Sequence, residues 1–409
     1  MIIDIVRSNF KIIFFGFVFT FFSCVGQSFF IGLFNSNIRE ELGISHGEFG
    51  IIYGIATLCS SFTLIWMGKK IDDLKLVNYS LLVVIFLSAA ALFFSFINGI
   101  IFLGIGIFFL RLSGQGLMAH TASTAVSRFF YKSRGKALSY IWLGMSLGEF
   151  LLPVIIVYSL TFIYWRNLWQ GIALLILLLL PAFTFFATKH ISIFSREKKN
   201  SNNLNDDINN VKNWTRKEVL RDLKFYSILP AMLASSFIIT GIVINQNFII
   251  ESKGWEKFAI AKAFMVYSVF TVLALFLSGF LVDKFTSRKI FSVLNIPLLL
   301  SVIVLAFFNH PFSVFIFMGL MGASNGLTNI LISSFWAEIY GVRYIGSIKA
   351  LTSSLMVFST ALATAVFGAL IDLGYSIEKI AFLCAIYTFV SIIIVIVFQK
   401  SYKPILITK

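Results

Sequence analysis

Charge is scarce in this chain. Asp, Glu, Lys and Arg make up 12% of its 409 residues, about half the ~25% usual in soluble proteins. Acid is scarcer than base, 18 residues against 33, and there are only three cysteines, four histidines and six prolines. Each shortage excludes something. Cys24, Cys59 and Cys384 all fall in apolar runs without metal-ligand spacing, which excludes a disulfide scaffold and a cysteine-based metal site. No phosphate-cradling glycine loop, catalytic triad, zinc pattern or haem attachment motif is present, so no enzyme activity and no cofactor are expected. The apolar share is 58%, with 48 Phe, more than any water-soluble core of this length could bury.

What is there instead is a series of long apolar runs. A helix needs about 20 mostly apolar residues to span a bilayer. Twelve such runs are expected, at 12–34, 49–68, 77–97, 99–123, 137–160 and 166–188 in the first half, and at 225–249, 259–282, 290–308, 312–335, 347–371 and 378–398 in the second. The expected fold is therefore an all-α membrane protein of two six-helix halves, 1–188 and 225–409, joined by a linker at 189–224. The first run is of spanning length and no small-residue cleavage site follows it, so it reads as the first helix rather than a cleaved signal. Most of the 33 basic residues then fall on one side, which the positive-inside rule makes cytoplasmic. Both termini are expected there, in the cytoplasmic (inner) membrane of the cell. Such an excess of base would suggest nucleic acid in a soluble protein. Here it orients helices, and the expected partners are the lipid bilayer and a small molecule.

The linker changes character along its length. SREKKNSNNLNDDINNVKN is Asn-rich and charged and reads as flexible. WTRKEVLRDLKF differs: Thr215 and Glu218 have capping-box spacing, and Trp214, Val219, Leu220 and Leu223 fit one apolar face. Two outcomes are open, a short helix on the inner membrane surface or a cytoplasmic extension of the seventh span.

The halves repeat. Gly68 and Asp72 between spans 2 and 3 match Gly279 and Asp283 between spans 8 and 9, at an offset of 211 residues. Tyr53 and Thr57 match Tyr267 and Thr271 at an offset of 214. Gln27-Ser28-Phe29 in span 1 has a counterpart in Gln246-Asn247-Phe248 in span 7. Two repeats about a cytoplasmic linker suggest a carrier with a midplane site. At these residues the chain resembles the major facilitator superfamily. The paired G-x-x-x-D loops, and Arg111-Leu-Ser-Gly114-Gln115-Gly116 in span 4, are similar to that superfamily's signatures. Within it, RLSGQGLMAHT (111–121), WTRKEVLRDLKFY (214–226) and WAEIYGVRYIGSIKAL (336–351) look like bacterial members near the monocarboxylate and oxalate/formate carriers. The resemblance implies alternating access through a central site.

Residues then fall into three expected groups. Arg111 lies about twelve residues into span 4, roughly 18 Å deep at 1.5 Å per residue, where a charge must face the bundle interior. It reads as a substrate anchor, part of proton coupling, or a structural partner of Glu149, which reaches a similar depth in span 5. His120 is either a hydrogen-bonded structural residue or a proton relay. Gln27, Gln115, Asn245, Gln246, Asn325 and Asn329 carry amides that need partners inside the bundle and are candidates for substrate contact or helix ties. Tyr53 and Tyr267 could cap a cavity or anchor at the interface. Asp72, Asp283, Glu338, Arg343 and Arg134 stand at cytoplasmic helix ends. They are expected to gate the cytoplasmic side, or else to form a solvated rim.

The expected function is secondary active transport of a small organic solute, a carboxylate-bearing anion held by Arg111, coupled to protons or run as exchange. A multidrug or metabolite exporter of the same fold, and a non-transporting membrane sensor, are the alternatives. A monomer is expected, since one chain holds both halves.

Overall fold

Leu178, Phe186, Ile65, Trp66 and Val397 are each more than 60% exposed, on helices whose other faces are also apolar. A helix apolar all round belongs in lipid, where its backbone must satisfy itself. The computed structural model describes residues 10–130, 134–189, 212–341 and 344–403. Within these it is helical, and there is no strand among the described residues. The chain divides into two compact units, Met1–Asn203 and Leu204–Lys409.

The first unit contains α1 (Phe10–Gly32), α2 (His46–Lys69), α3 (Leu76–Phe94), α4 (Ile100–Phe129), α5 (Arg134–Ser159) and α6 (Trp165–Thr188). The second contains α7 (Leu223–Ile244), α8 (Ala259–Phe285), α9 (Ser287–Phe307), α10 (Ser313–Tyr340), α11 (Ile345–Asp372) and α12 (Ile377–Phe398). Eleven of these are long and apolar enough to cross a membrane; α10 has a shorter apolar stretch, Ser313–Thr328. The twelve expected spans each find a helix. α1 differs from the expected continuous span, because it is broken at Cys24–Gln27.

Local sequence sets the ends. Ser45 and Glu48 form a capping box at the start of α2. Just before it, Gly43 closes the short helix Asn35–Leu42 at φ +64°, a backbone that glycine adopts without strain. Small residues then let helices touch. A Cβ at Gly114 of α4 would lie 2.6 Å from the Gly26 nitrogen of α1, and one at Gly144 of α5 would strike the Phe17 carbonyl. In the second unit, Gly322 and Gly326 of α10 rest on the α8 backbone at Tyr267 and Thr271. Hydroxyls and an amide add cross-links: Ser88 donates to the Ala173 carbonyl (2.8 Å), Ser301 to that of Phe317 (2.7 Å), and Asn295 to that of Ala231 (2.7 Å).

Each unit also ties three connections together at one end. In the first, Glu41 accepts from Trp165 (2.7 Å) and Arg166 (2.6 Å), and also from the Tyr164 hydroxyl. Arg166 donates as well to the carbonyls of Ser95 (2.8 Å) and Ile97. In the second, the Lys253 ammonium, its side chain fully buried, meets Glu378 (2.9 Å) and Asn309 Oδ1 (2.6 Å), and Trp255 donates to the Asn309 carbonyl (2.9 Å). The two clasps have the same plan with the charges exchanged.

The segment before α7 matches neither expected form fully. The capping box of Thr215 and Glu218 is present, but the helix is one turn, Arg216–Val219, and the chain bends before Leu223. It is docked on its own unit: the Trp214 N–H donates to the Tyr340 carbonyl (3.0 Å), and Val219 lies buried in a cluster with Phe225, Trp336 and Tyr340.

Two outcomes follow from this packing. Gly114→Ala forces backbone apart at Gly26 and is expected to lower stability by about 1–3 kcal/mol, read as a lower Tm in detergent. Burial raises the Glu41 carboxyl, but the hydrogen bonds from Tyr164, Arg166 and Trp165 outweigh it and hold it below the usual carboxylate range. The clasp is therefore fully stabilising above the ordinary Glu value of about 4.3 and is lost as pH falls through the lower folded value. Melting curves of wild type and Glu41→Gln should be well separated at pH 7 and converge as pH approaches 3.

Candidate functional site

The centre of the first unit is built on two irregular helices. In α1 the last turn tightens at Cys24–Gly26 and Gln27 goes extended (φ −82°, ψ 155°) before helix resumes at Ser28. In α4, residues Arg111–Met118 form a π-helical stretch. Such wide turns put extra residues into a helix and recur at functional positions. The two irregularities face each other. A Cβ on Gly26 would come within 2.6 Å of the Gln115 nitrogen and 2.8 Å of the Gly114 Cα.

Arg111 is the first residue of the wide stretch, and it is 2% exposed. Its NH1 donates to the Gly26 carbonyl at 3.3 Å and to the Ser28 hydroxyl at 3.1 Å. Its guanidinium carbon lies 5.4 Å from the centre of the Tyr53 ring, within cation–π range. The Tyr53 hydroxyl donates to the same Ser28 oxygen at 2.9 Å. Arg111 Nε is buried and finds no acceptor. Every partner of this cation is therefore a carbonyl, a hydroxyl or a ring face. It has no carboxylate among the described residues.

Glu149 is 6% exposed and stands on α5 beside the same break, next to Gly148, which packs against the Cys24 thiol. No hydrogen bond or ion pair joins it to Arg111 in this structure. The two charges flank one interruption of α1 without meeting.

The remaining candidates are distributed as follows. Gln27 and Gln115 are half-buried, Gln27 in the break itself and Gln115 in the wide stretch facing it. His120 is away from this cluster: its Nε2 lies 3.1 Å from the Gly68 carbonyl and ties α4 to the C-terminal end of α2. In the second unit α7 stops at Asn245 (φ −102°, ψ 23°), whose Nδ2 donates to the Gly241 carbonyl at 3.0 Å, and a new helix, Gln246–Lys253, begins. The first helix of each unit is thus broken near its amide-bearing motif. Tyr267 is 4% exposed, buried like Tyr53. The 214-residue offset that relates Tyr53 to Tyr267 also relates Arg111 to Asn325, which is half-buried on α10. By that offset a neutral amide in the second unit answers to the guanidinium of the first. Glu338 accepts from Arg288 Nε (2.6 Å), from the Arg288 backbone N–H (3.3 Å) and from the Ser287 hydroxyl. It so fastens the α8–α9 turn to the end of α10. The side chains of Asp72, Asp283, Asn329 and Arg134, and Arg343 altogether, lie outside the described residues.

Sequence reasoning missed Ser28 and Gly26 as members of the Arg111 cluster. The signal was available in CVGQS, a small and polar interruption in an otherwise apolar run. A cavity of about 490 Å³ between α8 and α10 is lined by Val266, Phe270, Phe312, Phe315, Ile316, Gly319 and Leu320. Its walls offer no group to recognise a charge.

The family model of the Major Facilitator Superfamily matches residues 16–364 and 236–406. No curated protein matches the chain closely. Among solved structures, a mutant of the nucleoside transporter NupG superposes with TM-score 0.72 at 13% identity, covering 96% of this chain and 100% of that one. A bacterial homologue of the human lysosomal transporter Spinster, in an inward-facing and unoccupied conformation, superposes with TM-score 0.67 at 13% identity, covering 96% of each chain. Twelve helices in two repeated units, a first helix broken in each, and a family match running through both place this chain in the major facilitator superfamily, of which it is a member.

Proposed function

We propose that this protein is a secondary active transporter that moves a small carboxylate-bearing anion across the cytoplasmic membrane by alternating access, with Arg111 as the anchor. The observation that carries the reading is the state of that side chain. A guanidinium at membrane depth is costly and is retained where it faces a partner or a wet cavity. Neutral acceptors hold Arg111 on one edge, while its Nε–H remains without an acceptor. An incoming carboxylate would supply both the missing acceptor and the missing countercharge, through the two-pronged geometry that guanidinium and carboxylate share. The likeness of stretches 111–121, 214–226 and 336–351 to the monocarboxylate and oxalate/formate branch supports the same substrate class. Tyr53 and Ser28 fix the guanidinium's plane; Gln27 and Gln115 border it and are proposed to contact the uncharged part of the solute. In the second unit Asn245, Gln246, Asn325, Asn329 and Tyr267 are proposed as its polar contacts.

Glu149 is proposed as the proton carrier. It is a buried acid with no countercharge among the described residues, and taking up a proton would remove its charge. Exchange of one anion for another is the alternative coupling, and needs no titrating group. His120, bonded to the Gly68 carbonyl, is proposed as a helix tie at the cytoplasmic end. Gating there is proposed for Asp72, Asp283, Glu338, Arg343 and Arg134.

Ligand-induced thermal stabilisation tests the substrate class. A ligand that binds the folded state alone at 100 times its Kd adds about 2.7 kcal/mol. Small mono- and dicarboxylates should raise the Tm of wild type, and Arg111→Gln should lose that response. Stabilisation by lipophilic cations or neutral solutes alone would instead favour the exporter reading. In proteoliposomes, Glu149→Gln should retain exchange of labelled carboxylate while losing uptake driven by a pH gradient. Unchanged gradient-driven uptake would remove Glu149 from the coupling.

A further inference from the structure

Residues 212–226 join the long connection to α7, and they carry five basic side chains against two acidic ones. Both acids are engaged within the segment or by its own unit. Glu218 accepts from the Thr215 backbone N–H (2.7 Å) and pairs with Lys212 (3.0 Å). Its carboxyl is held down at about 2 by the Thr215 backbone bond first and Lys212 next. Asp222 accepts from the Lys224 backbone N–H (3.1 Å) and from the Tyr340 hydroxyl (3.2 Å). Arg216, Lys217 and Arg221 are exposed and Lys224 half-exposed, and none of the four makes an ion pair with a described residue.

Apolar groups stand among these cations and also face outward. Leu223 is 80% exposed, Tyr226 49% and Leu220 39%. Leu223 is the first residue of a helix of spanning length, so this group sits where α7 enters the membrane. The patch is rigidly presented. Val219 is anchored in the core cluster, Trp214 is bonded to the Tyr340 carbonyl, and the Tyr226 hydroxyl closes the bend on the Leu220 carbonyl at 2.9 Å.

We propose that this patch is a docking surface for anionic phospholipid: Arg216, Lys217, Arg221 and Lys224 take the headgroup phosphate, and Leu220, Leu223 and Tyr226 take the upper acyl chain. Unpaired cations beside exposed apolar groups at a membrane boundary match a lipid, which offers negative charge and hydrocarbon within a few ångströms. A soluble anion would use the cations and leave Leu223 in water. Which leaflet supplies the lipid rests on the cytoplasmic assignment of the linker, whereas binding itself does not. A titration in detergent therefore tests the site apart from the orientation.

The experiment is native mass spectrometry of the full chain titrated with phosphatidylglycerol or phosphatidylcholine. The chains compared are wild type and the quadruple variant R216Q/K217Q/R221Q/K224Q. Wild type should retain phosphatidylglycerol about tenfold better than phosphatidylcholine. The variant should lose that preference while its Tm in phosphatidylcholine micelles stays unchanged. If the quadruple variant does not fold, K217Q/R221Q reads the same loss at smaller amplitude. An undiminished preference in the folded variant would overturn the proposal. Competition by millimolar inorganic phosphate as effective as that of the lipid would also overturn it, since the site would then be one for soluble anions.

Discussion

The donation from Arg111 to the Gly26 carbonyl is the contact on which the first unit depends. A helix interrupted inside hydrocarbon leaves carbonyls in need of donors, and a guanidinium at that depth needs acceptors. Here each requirement meets the other, at 3.3 Å. The arrangement demands close backbones, so Gly26 stands on one side and Gly114 on the other. It also demands that Arg111 be turned toward α1, and Arg111 stands at the start of the wide stretch Arg111–Met118 that faces the break. Replace the cation with a neutral side chain and the break keeps its geometry but loses its donor. Widen the glycine contact and the guanidinium can no longer reach.

The two units share a plan but not a charge distribution. Each breaks its first helix beside an amide motif, buries a tyrosine at the matched place on its second, and ties three connections with an ion pair at one end. In the first unit the pair is Glu41 with Arg166, in the second Lys253 with Glu378, with acid and base exchanged between the matched connections. These clasps make each unit mechanically one piece at that end. The two centres differ in charge: the 214-residue offset pairs Arg111 with Asn325. In the reading proposed above, charge recognition therefore belongs to the first unit and shape and polarity to the second.

The helices were legible in the sequence because length and hydropathy decide what can cross a bilayer. The Thr215–Glu218 box was legible too, since its spacing has one geometric meaning. The departures have physical reasons. Helical depth placed Arg111 and Glu149 at one level, but depth carries no information about azimuth, and a π-helical stretch shifts the face that any residue after it presents. Ser28 was read as part of a repeated motif and not as an acceptor, because nothing local shows which helix a hydroxyl will meet. The break in α1 had a local signal in CVGQS, which the high apolarity on both sides outweighed in a reading by span length. Glu338 was expected at a helix end and lies near the last residue of α10, with Arg288 of the repeated loop as its partner. The one-turn helix before α7 is shorter than its capping box suggested, since Val219 and Trp214 are claimed by the second unit's core.

The central claim is that an uncountered cation on α4 selects an anion. Its most direct measurement is flux of labelled carboxylate into proteoliposomes containing this chain alone, compared between wild type, Arg111→Lys and Arg111→Gln. The account predicts flux in wild type, a large loss in Arg111→Lys because a point charge does not reproduce the planar fork, and none above empty liposomes in Arg111→Gln. Carboxylate flux in Arg111→Gln equal to that of wild type would contradict it, and would leave Arg111 as a fastener for the break in α1.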